Sequence, residues 1–295
     1  MYHYVRDPER SRFPRIKARR TAEFRNQLEY VARHFTPVTA QQVIAALRGQ
    51  NDLPENSVWL TFDDGYLDHY LTVFPLLHDR GWQGSFFAPA RAVMERRLLD
   101  VNKIHLLLAG LDDTSKLISE IQAHVGPAFE QLWSAYAAPG VYDPSDVVFV
   151  KNVLQHVLPL RDRTRIIDDL FARYISSDER AIASELYMSP DQIRLMVKCG
   201  MFFGSHGYDH FWMNKLAPVE QEREIRLSLE FLTVIGAPTN EWVMCYPYGA
   251  YNEALLRKLK FHDCAVGLTT RSAVADVASD HALELPRLDT NEFPI

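Results

Sequence analysis

Several short apolar runs in this chain end abruptly at polar residues, and that pattern restricts the fold more than any other feature. Val58-Trp59-Leu60-Thr61-Phe62 stops at Asp63-Asp64-Gly65, Met201-Phe202-Phe203-Gly204 at Ser205-His206, and Trp242-Val243-Met244-Cys245-Tyr246 at Pro247-Tyr248-Gly249. Runs this short, and apolar throughout, read as strands buried on both faces. Ser85-Phe86-Phe87-Ala88 and Cys264-Ala265-Val266-Gly267-Leu268 are of the same kind, with shorter candidates at residues 1–5 and 283–285. Between them, helical spacing recurs over residues 21–35, 40–48, 75–79, 190–197, 218–235 and 252–260. Strands alternating with helices imply a parallel sheet, either open or closed into a barrel.

The alternation lapses over residues 98–189. There 3.6-residue spacing covers 104–109, 115–124, 128–137, 146–158, 161–175 and 178–186, punctuated by Pro139-Gly140 and Pro144, and no strand-like run stands out. The expected organisation is an α/β barrel made from residues 1–97 and 190–295, interrupted by a helical insertion at 98–189. A chain of 295 residues is long enough for this. Hydrophobic residues at 47% and charged residues at 24% are ordinary for a globular protein, and a net charge of −6 gives no general attraction for nucleic acid. Cys199, Cys245 and Cys264 lack the paired spacing of a disulfide framework and read as reduced thiols. No apolar run approaches the roughly 20 residues of a transmembrane helix. The opening residues lack a basic stretch followed by an apolar one, so the expected location is cytoplasmic.

In a parallel α/β barrel the C-terminal strand ends converge on one mouth, so polar clusters far apart in sequence can meet there. Asp, His and His together suit a divalent first-row metal, zinc above all, with positions left for water and substrate. Two adjacent Asp residues can divide the work, one ligating and the other free to take a proton from water. The i, i+4 spacing of His206 and His210 suits one face of a helix and equally a turn. Singly, each piece has a plainer reading: Asp-Asp-Gly and Pro-Tyr-Gly as turns, His-x-x-x-His as unrelated polar residues. Their joint occurrence, each behind an apolar strand, favours a site.

These residues resemble the motifs of the polysaccharide deacetylases (carbohydrate esterase family four, the NodB homology domain). Thr61-Phe62-Asp63-Asp64-Gly65-Tyr66 is similar to the first motif, Ser205-His206-Gly207-Tyr208-Asp209-His210 to the second, and Tyr246-Pro247-Tyr248-Gly249 to the third. Leu285-Pro286-Arg287-Leu288-Asp289 resembles a stretch near the domain's end, and Met1-Tyr2-His3-Tyr4-Val5 the start of one branch. The resemblance covers about residues 1–97 and 188–291. It implies a partly open (β/α)7 barrel and a metal-dependent deacetylase acting on an N-acylated sugar. Asp63 would then be the base, and Asp64, His206 and His210 the ligands of a divalent metal, zinc by preference. A backbone N–H at Tyr248 would stabilise the oxyanion.

The chain also departs from that pattern. Gly207 stands where Ser or Thr is usual, which removes a hydrogen bond that steadies the His loop and loosens the backbone. Cys245 stands where an Arg that orients the base is common, and Arg287 is the candidate replacement. The late motif with a catalytic His is not recognisable, since His262 and His281 lie in no matching context. His3 is the candidate for a His at the mouth, with a structural hydrogen-bonded His as the equal alternative. The insertion is expected to lie beside the mouth and to narrow the substrate range to a soluble, nucleotide-linked or lipid-linked sugar instead of a polymer. Arg6, Arg10, Arg12, Arg15, Lys17, Arg19 and Arg20 read either as a solvated loop or as a clamp for the phosphate of such a substrate. Tyr66, Trp212 and Tyr248 are candidates for stacking on a sugar ring. Two other functions fit the same residues: a non-catalytic sugar-binding protein, and a hydrolase of a non-sugar amide such as a cyclic ureide.

Overall fold

The computed structural model describes residues 1–140 and 143–294; Val141, Tyr142 and Ile295, which fall within the expected insertion and barrel, lie outside the described residues. Two compact units are present. One comprises Met1–Asp7, Ala18–Arg97 and Ala183–Ile295, the other Pro8–Lys17 and Leu98–Ile182.

Among the described residues the first unit has the strands β1 (Thr36–Pro37), β2 (Ser57–Val58), β3 (Thr61–Asp63), β4 (Ser85–Ala88), β5 (Phe202–Ser205), β6 (Trp242–Cys245) and β7 (Cys264–Leu268). Strands β3 to β7 pair in chain order, all parallel. The sheet gains one further row at each edge through single parallel bridges, Tyr2 to Phe62 and Leu285 to Leu268. Thr290 N donates to Met1 O at 3.2 Å and draws those two edges together. Among the described residues seven rows result, the outer two joined by one bridge each, which gives the partly open (β/α)7 barrel.

Three local expectations shift. The apolar run at 58–62 does not form one strand: Ser57–Val58 pairs with β1, and the main sheet starts at Leu60, whose carbonyl accepts from Ser85 N at 2.9 Å. Residues 283–285 fall in a 3-10 turn, Ala282–Glu284, and contribute one bridge instead of a strand. The opening residues likewise contribute bridges at Tyr2 and Val5.

β3 to β6 are buried at every position and β7 at all but one, as expected for a parallel sheet covered on both faces. Alternation along these strands sends Phe62, Phe86 and Phe203 to one face and Phe87, Phe202, Val243 and Val266 to the other. On the first face Tyr2, Phe62, Phe86 and Phe203 stack in register across four neighbouring rows, with centroids 5.2, 4.9 and 5.3 Å apart. On the second, the Phe87 ring lies against Gly204, where a Cβ would sit 2.6 Å from it. Helices start where the sequence supplies caps: Thr39, Ser189 and Asn252 each accept a backbone N–H from the first turn that follows. Among the described residues, no helix is long and apolar enough to cross a membrane.

The second unit is helical: Asp100–Gly110, Ser115–Val125, Phe129–Tyr136, Ser145–Asn152 and Leu160–Tyr174, with a π-turn at Val153–Val157. It has its own core, built from Ile104, Leu107, Ile121, Phe149, Leu154 and Ile167 among others. Residues 8–17 pack here, with Arg15 bonded to Ala109 O and Asp112, and Lys17 to Asp143.

Candidate active site

Parallel strands in register bring their C-terminal ends to one edge, and the polar clusters sit there. Asp63 is the last residue of β3, His206 follows β5, Cys245 ends β6, and Arg287 follows the Leu285 bridge beside β7. Asp64, His206 and His210 converge: Asp64 Oδ1 lies 3.5 Å from His206 Nε2 and 3.4 Å from His210 Nε2, and all three residues are buried.

Asp64 Oδ1 and His210 Nδ1 are buried without a hydrogen-bond partner among the described residues. A buried carboxylate oxygen left unpaired between two imidazoles is costly unless something else completes it. Ligand atoms each about 2.1 Å from a tetrahedral ion lie about 3.4 Å apart, which is the spacing observed here. The remaining atoms are held in orientations that suit ligation. Tyr66 Oη donates to Asp64 Oδ2 at 2.7 Å, and His206 Nδ1 donates to the Cys245 carbonyl at 2.7 Å, leaving Nε2 as the acceptor that faces Asp64. The donor set therefore fits a divalent ion of the zinc type. Asp63, His206 and Cys245 form a second close group, but both Asp63 oxygens are engaged by Arg287 and Cys245 Sγ accepts from it, so that group is committed elsewhere.

Electrostatics agree with a cation site. Burial raises the Asp64 pKa, but His206, His210 and His3 outweigh it and hold the carboxyl below the usual range. Burial and the neighbouring His206 push His210 down to about 3, whereas Cys245, Asp64 and Asp63 hold His206 up against its own burial.

Asp63 faces the same edge. Arg287 forks onto it, NH1 to Oδ1 at 2.9 Å and NH2 to Oδ2 at 2.8 Å, with both side chains buried. Burial alone would raise the Asp63 pKa; the Arg287 charge, with His206 and His3, reverses this and keeps the carboxyl ionised. Arg287 also reaches Cys245 Sγ at 3.1 Å, so the position at which Arg is common holds a contact of the Arg that stands in for it. His3 Nε2 lies 4.0 Å from Asp63 Oδ2 on a side chain 43% exposed. Its backbone carbonyl accepts from the buried His69 Nε2 at 2.8 Å.

Tyr248 sits in the turn Pro247–Gly249 with φ of 59°, in the left-handed region. Its ring packs on His210 at 4.8 Å and stacks on Trp212 at 4.6 Å, with 9° between the two planes. Tyr66 is no platform for a sugar: it is fully buried between Tyr4 and Tyr187, and its hydroxyl serves Asp64.

The His206 to His210 segment is a loop, not a helix, since His210 has φ of 58°. Gly207, with φ of 73°, supplies the turn. The steadying contacts expected to be missing are made by Ser205, within the motif, and by Glu224, which the sequence did not single out. Ser205 Oγ accepts from Gly207 N at 3.1 Å, and Glu224 Oε2 accepts from both Tyr208 N and Asp209 N at 2.8 Å. Asp209 is gripped by Arg91 at 2.7 Å and Arg223 at 3.0 Å. The signal for Glu224 was present but easy to miss: Gln221, Glu224 and Ser228 fall at helical spacing on the buried stripe of Pro218–Ile235.

Four members of the basic 6–20 stretch pair with carboxylates of this chain: Arg6 with Asp68 at 2.6 Å, Arg15 with Asp112, Lys17 with Asp143, and Arg19 with Glu23. Nothing in these pairings supports a phosphate clamp.

Comparison with known proteins bears on the family and the fold. The family profile described as polysaccharide deacetylase matches residues 50–124 and 166–267. A poly-beta-1,6-N-acetyl-D-glucosamine N-deacetylase of Escherichia coli (strain K12) is 38% identical over 82 residues, a match that spans 28% of this chain and only 12% of that protein. The deacetylase PplD of Streptococcus pyogenes, solved in complex with acetate, superposes with a TM-score of 0.59 at 18% identity, covering 98% of this chain and 89% of that one. IcaB from Ammonifex degensii superposes with a TM-score of 0.58 at 20% identity, covering 97% and 89%. At these identities the structural likeness speaks for the fold.

Proposed function

The chain belongs to the polysaccharide deacetylase family, and from that premise we propose that it hydrolyses the N-acetyl groups of an amino-sugar polymer, using a divalent metal held by Asp64, His206 and His210. The observation that carries the reading is the buried, unpartnered Asp64 Oδ1 between two imidazole nitrogens, beside an Asp63 that Arg287 keeps ionised. When bound, such an ion polarises the amide carbonyl and lowers the pKa of a water toward about 7.

Asp63 takes the proton from the attacking water. Its two oxygens each give one lone pair to Arg287 and keep another for that water. The fork fixes the carboxylate plane and keeps the group ionised throughout the neutral range. The backbone N–H of Tyr248 is the donor assigned to the developing oxyanion, carried by a turn whose ring is braced on His210 and Trp212. His3, half-exposed and 4.0 Å from Asp63, is the group assigned to protonate the departing amine. The half-buried Trp212–Tyr248 stack offers the sugar an aromatic face next to the reacting centre.

A polymer of N-acetylated hexosamine fits the family and the substrate in the E. coli relative's name; the small, phosphate-bearing sugar suggested by the basic loop does not find its clamp. Against the non-catalytic reading stand the contacts of Glu224 and Arg287, which take over what the changes at Gly207 and Cys245 remove. The test is acetate release from β-linked N-acetylglucosamine oligomers, with metal content measured in parallel, for the wild type and Asp63→Asn. Zinc in both proteins and release only from the wild type is the expected result. Zinc-loaded wild type that releases acetate from no N-acetylated glycan would overturn the assignment.

A further inference from the structure

We propose that Glu224 is a positioning residue of the metal centre, holding the loop between the two His ligands in the geometry that presents both Nε2 atoms to Asp64. The proposal rests on the metal reading above and goes beyond it, because Glu224 lies on the helix Pro218–Ile235, outside every motif that carries the family resemblance.

Three residues, Gly207, Tyr208 and Asp209, separate His206 from His210, and each of their backbone N–H groups has a buried or half-buried acceptor. Ser205 Oγ takes the first at 3.1 Å; Glu224 Oε2 takes the second and the third, both at 2.8 Å. The carbonyls of Gly207 and Tyr208 accept from Ala90 N and Arg91 N at 3.2 and 3.0 Å. A single carboxylate oxygen therefore accepts from two of the three backbone donors. The loop needs them, because Gly207 and His210 both sit at positive φ, 73° and 58°, and a side chain that could tie the loop internally is absent at 207. Glu224 itself is 1% exposed. A carboxylate is expensive to bury and is retained here with two amide donors on one oxygen and Arg223 at 3.2 Å from the other. Its contacts lie one bond network removed from the ligands, where partners of metal-binding groups commonly set affinity.

The consequence is read in metal affinity. Zinc dissociation constants would be measured by competition with a chromogenic chelator for wild type, Glu224→Ala, Glu224→Asp, Glu224→Gln and Asp64→Asn, each checked by circular dichroism. Glu224→Ala removes the acceptor, and Glu224→Asp withdraws it by one methylene while keeping the charge. Both should weaken zinc binding by roughly 10–100-fold. Glu224→Gln keeps one oxygen able to accept both amides and should stay within about threefold of wild type. A folded Ala or Asp variant with wild-type affinity overturns the proposal. So does a Gln variant as weak as Ala, since charge would then matter and not acceptance. If Ala does not fold, Asp carries the measurement. Failure of the metal reading itself looks different: wild type would take up no stoichiometric zinc, or Asp64→Asn would bind as wild type does.

Discussion

Removing Arg287 should damage the barrel as much as the chemistry, and the size of the effect follows from its contacts. The guanidinium spends all five of its donors. Nε goes to Thr269 O at 3.0 Å, NH1 to Thr61 Oγ1 at 3.3 Å and Asp63 Oδ1 at 2.9 Å, NH2 to Asp63 Oδ2 at 2.8 Å and Cys245 Sγ at 3.1 Å. Arg287→Ala leaves Asp63, 2% exposed, as a buried carboxylate without its counter-charge. Removing one partner of such a pair costs about 3–5 kcal/mol. Arg287→Lys keeps the charge but presents it from one point, so at least two of the five contacts go; at about 1 kcal/mol each, the loss is roughly 2 kcal/mol. Asp63→Ala with Arg287→Ala removes both charges and should cost less than the sum of the single changes, by about 2 kcal/mol or more. Urea unfolding measures this. Trp133 lies in the helical unit, so a Trp133→Phe background leaves Trp59, Trp82, Trp212 and Trp242 as reporters of the barrel alone. The pH dependence has a definite sign. A carboxyl with a depressed folded pKa contributes stability that is present above its unfolded value of about 3.9 and is lost as pH falls through the folded one. The gap between wild type and Arg287→Ala should therefore narrow below about pH 4. A coupling under about 0.5 kcal/mol, or a gap that widens in acid, would refute the reasoning.

Glu224 should show the opposite sign. Burial, with the Asp209 charge beside it, pushes its pKa up to about 7 against two amide donors and Arg223, so the native state keeps a proton the unfolded chain has lost. Stability should fall as pH rises from about 4.5 to about 7, by up to about 3 kcal/mol, and a urea-denaturation series in Glu224→Gln should lack that slope. Tyr66→Phe deletes the 2.7 Å bond that orients Asp64, and chelator competition should find zinc bound roughly tenfold more weakly. Zinc at about 100 times its dissociation constant should stabilise the wild type by about 2.7 kcal/mol, seen as a rise in thermal midpoint that Asp64→Asn abolishes.

What the sequence disclosed and what it withheld divide along the range of the interactions involved. The buried strands were legible because each lies in a short, mostly apolar run, and the polar ends of those runs marked the edge on which Asp64, His206 and His210 meet. Partnerships between remote segments left weaker traces. Glu224 looked like one charge among many on a charged helix, and only its place on the buried stripe gave it away. The packing of residues 8–17 within the helical unit is announced by no local pattern, because Arg15 and Lys17 find their carboxylates far along the chain.

Backbone strain was the least legible feature, and it explains why the motifs are built as they are. Asp64, His210 and Tyr248 have φ of 73°, 58° and 59°, in a region where a non-glycine residue costs about 1–2 kcal/mol. Asp tolerates it better than most residues, whereas a bulky Tyr is a clear outlier. The chain accepts the cost where a left-handed residue reverses the backbone just past a strand end and turns a side chain back over the sheet edge. At Asp64 and Tyr248 the following residues, Gly65 and Gly249, are left-handed too, so the reversal takes two residues and the second is always glycine. The same geometry decides between the two readings of the His-x-x-x-His spacing. A helix would hold both imidazoles on its own face at no backbone cost; what the site needs is a segment that can set them past the end of β5 and within 3.5 Å of Asp64, the residue after β3. The strained loop can, and its strain is why it needs Glu224, Arg91 and Arg223 fastened around it.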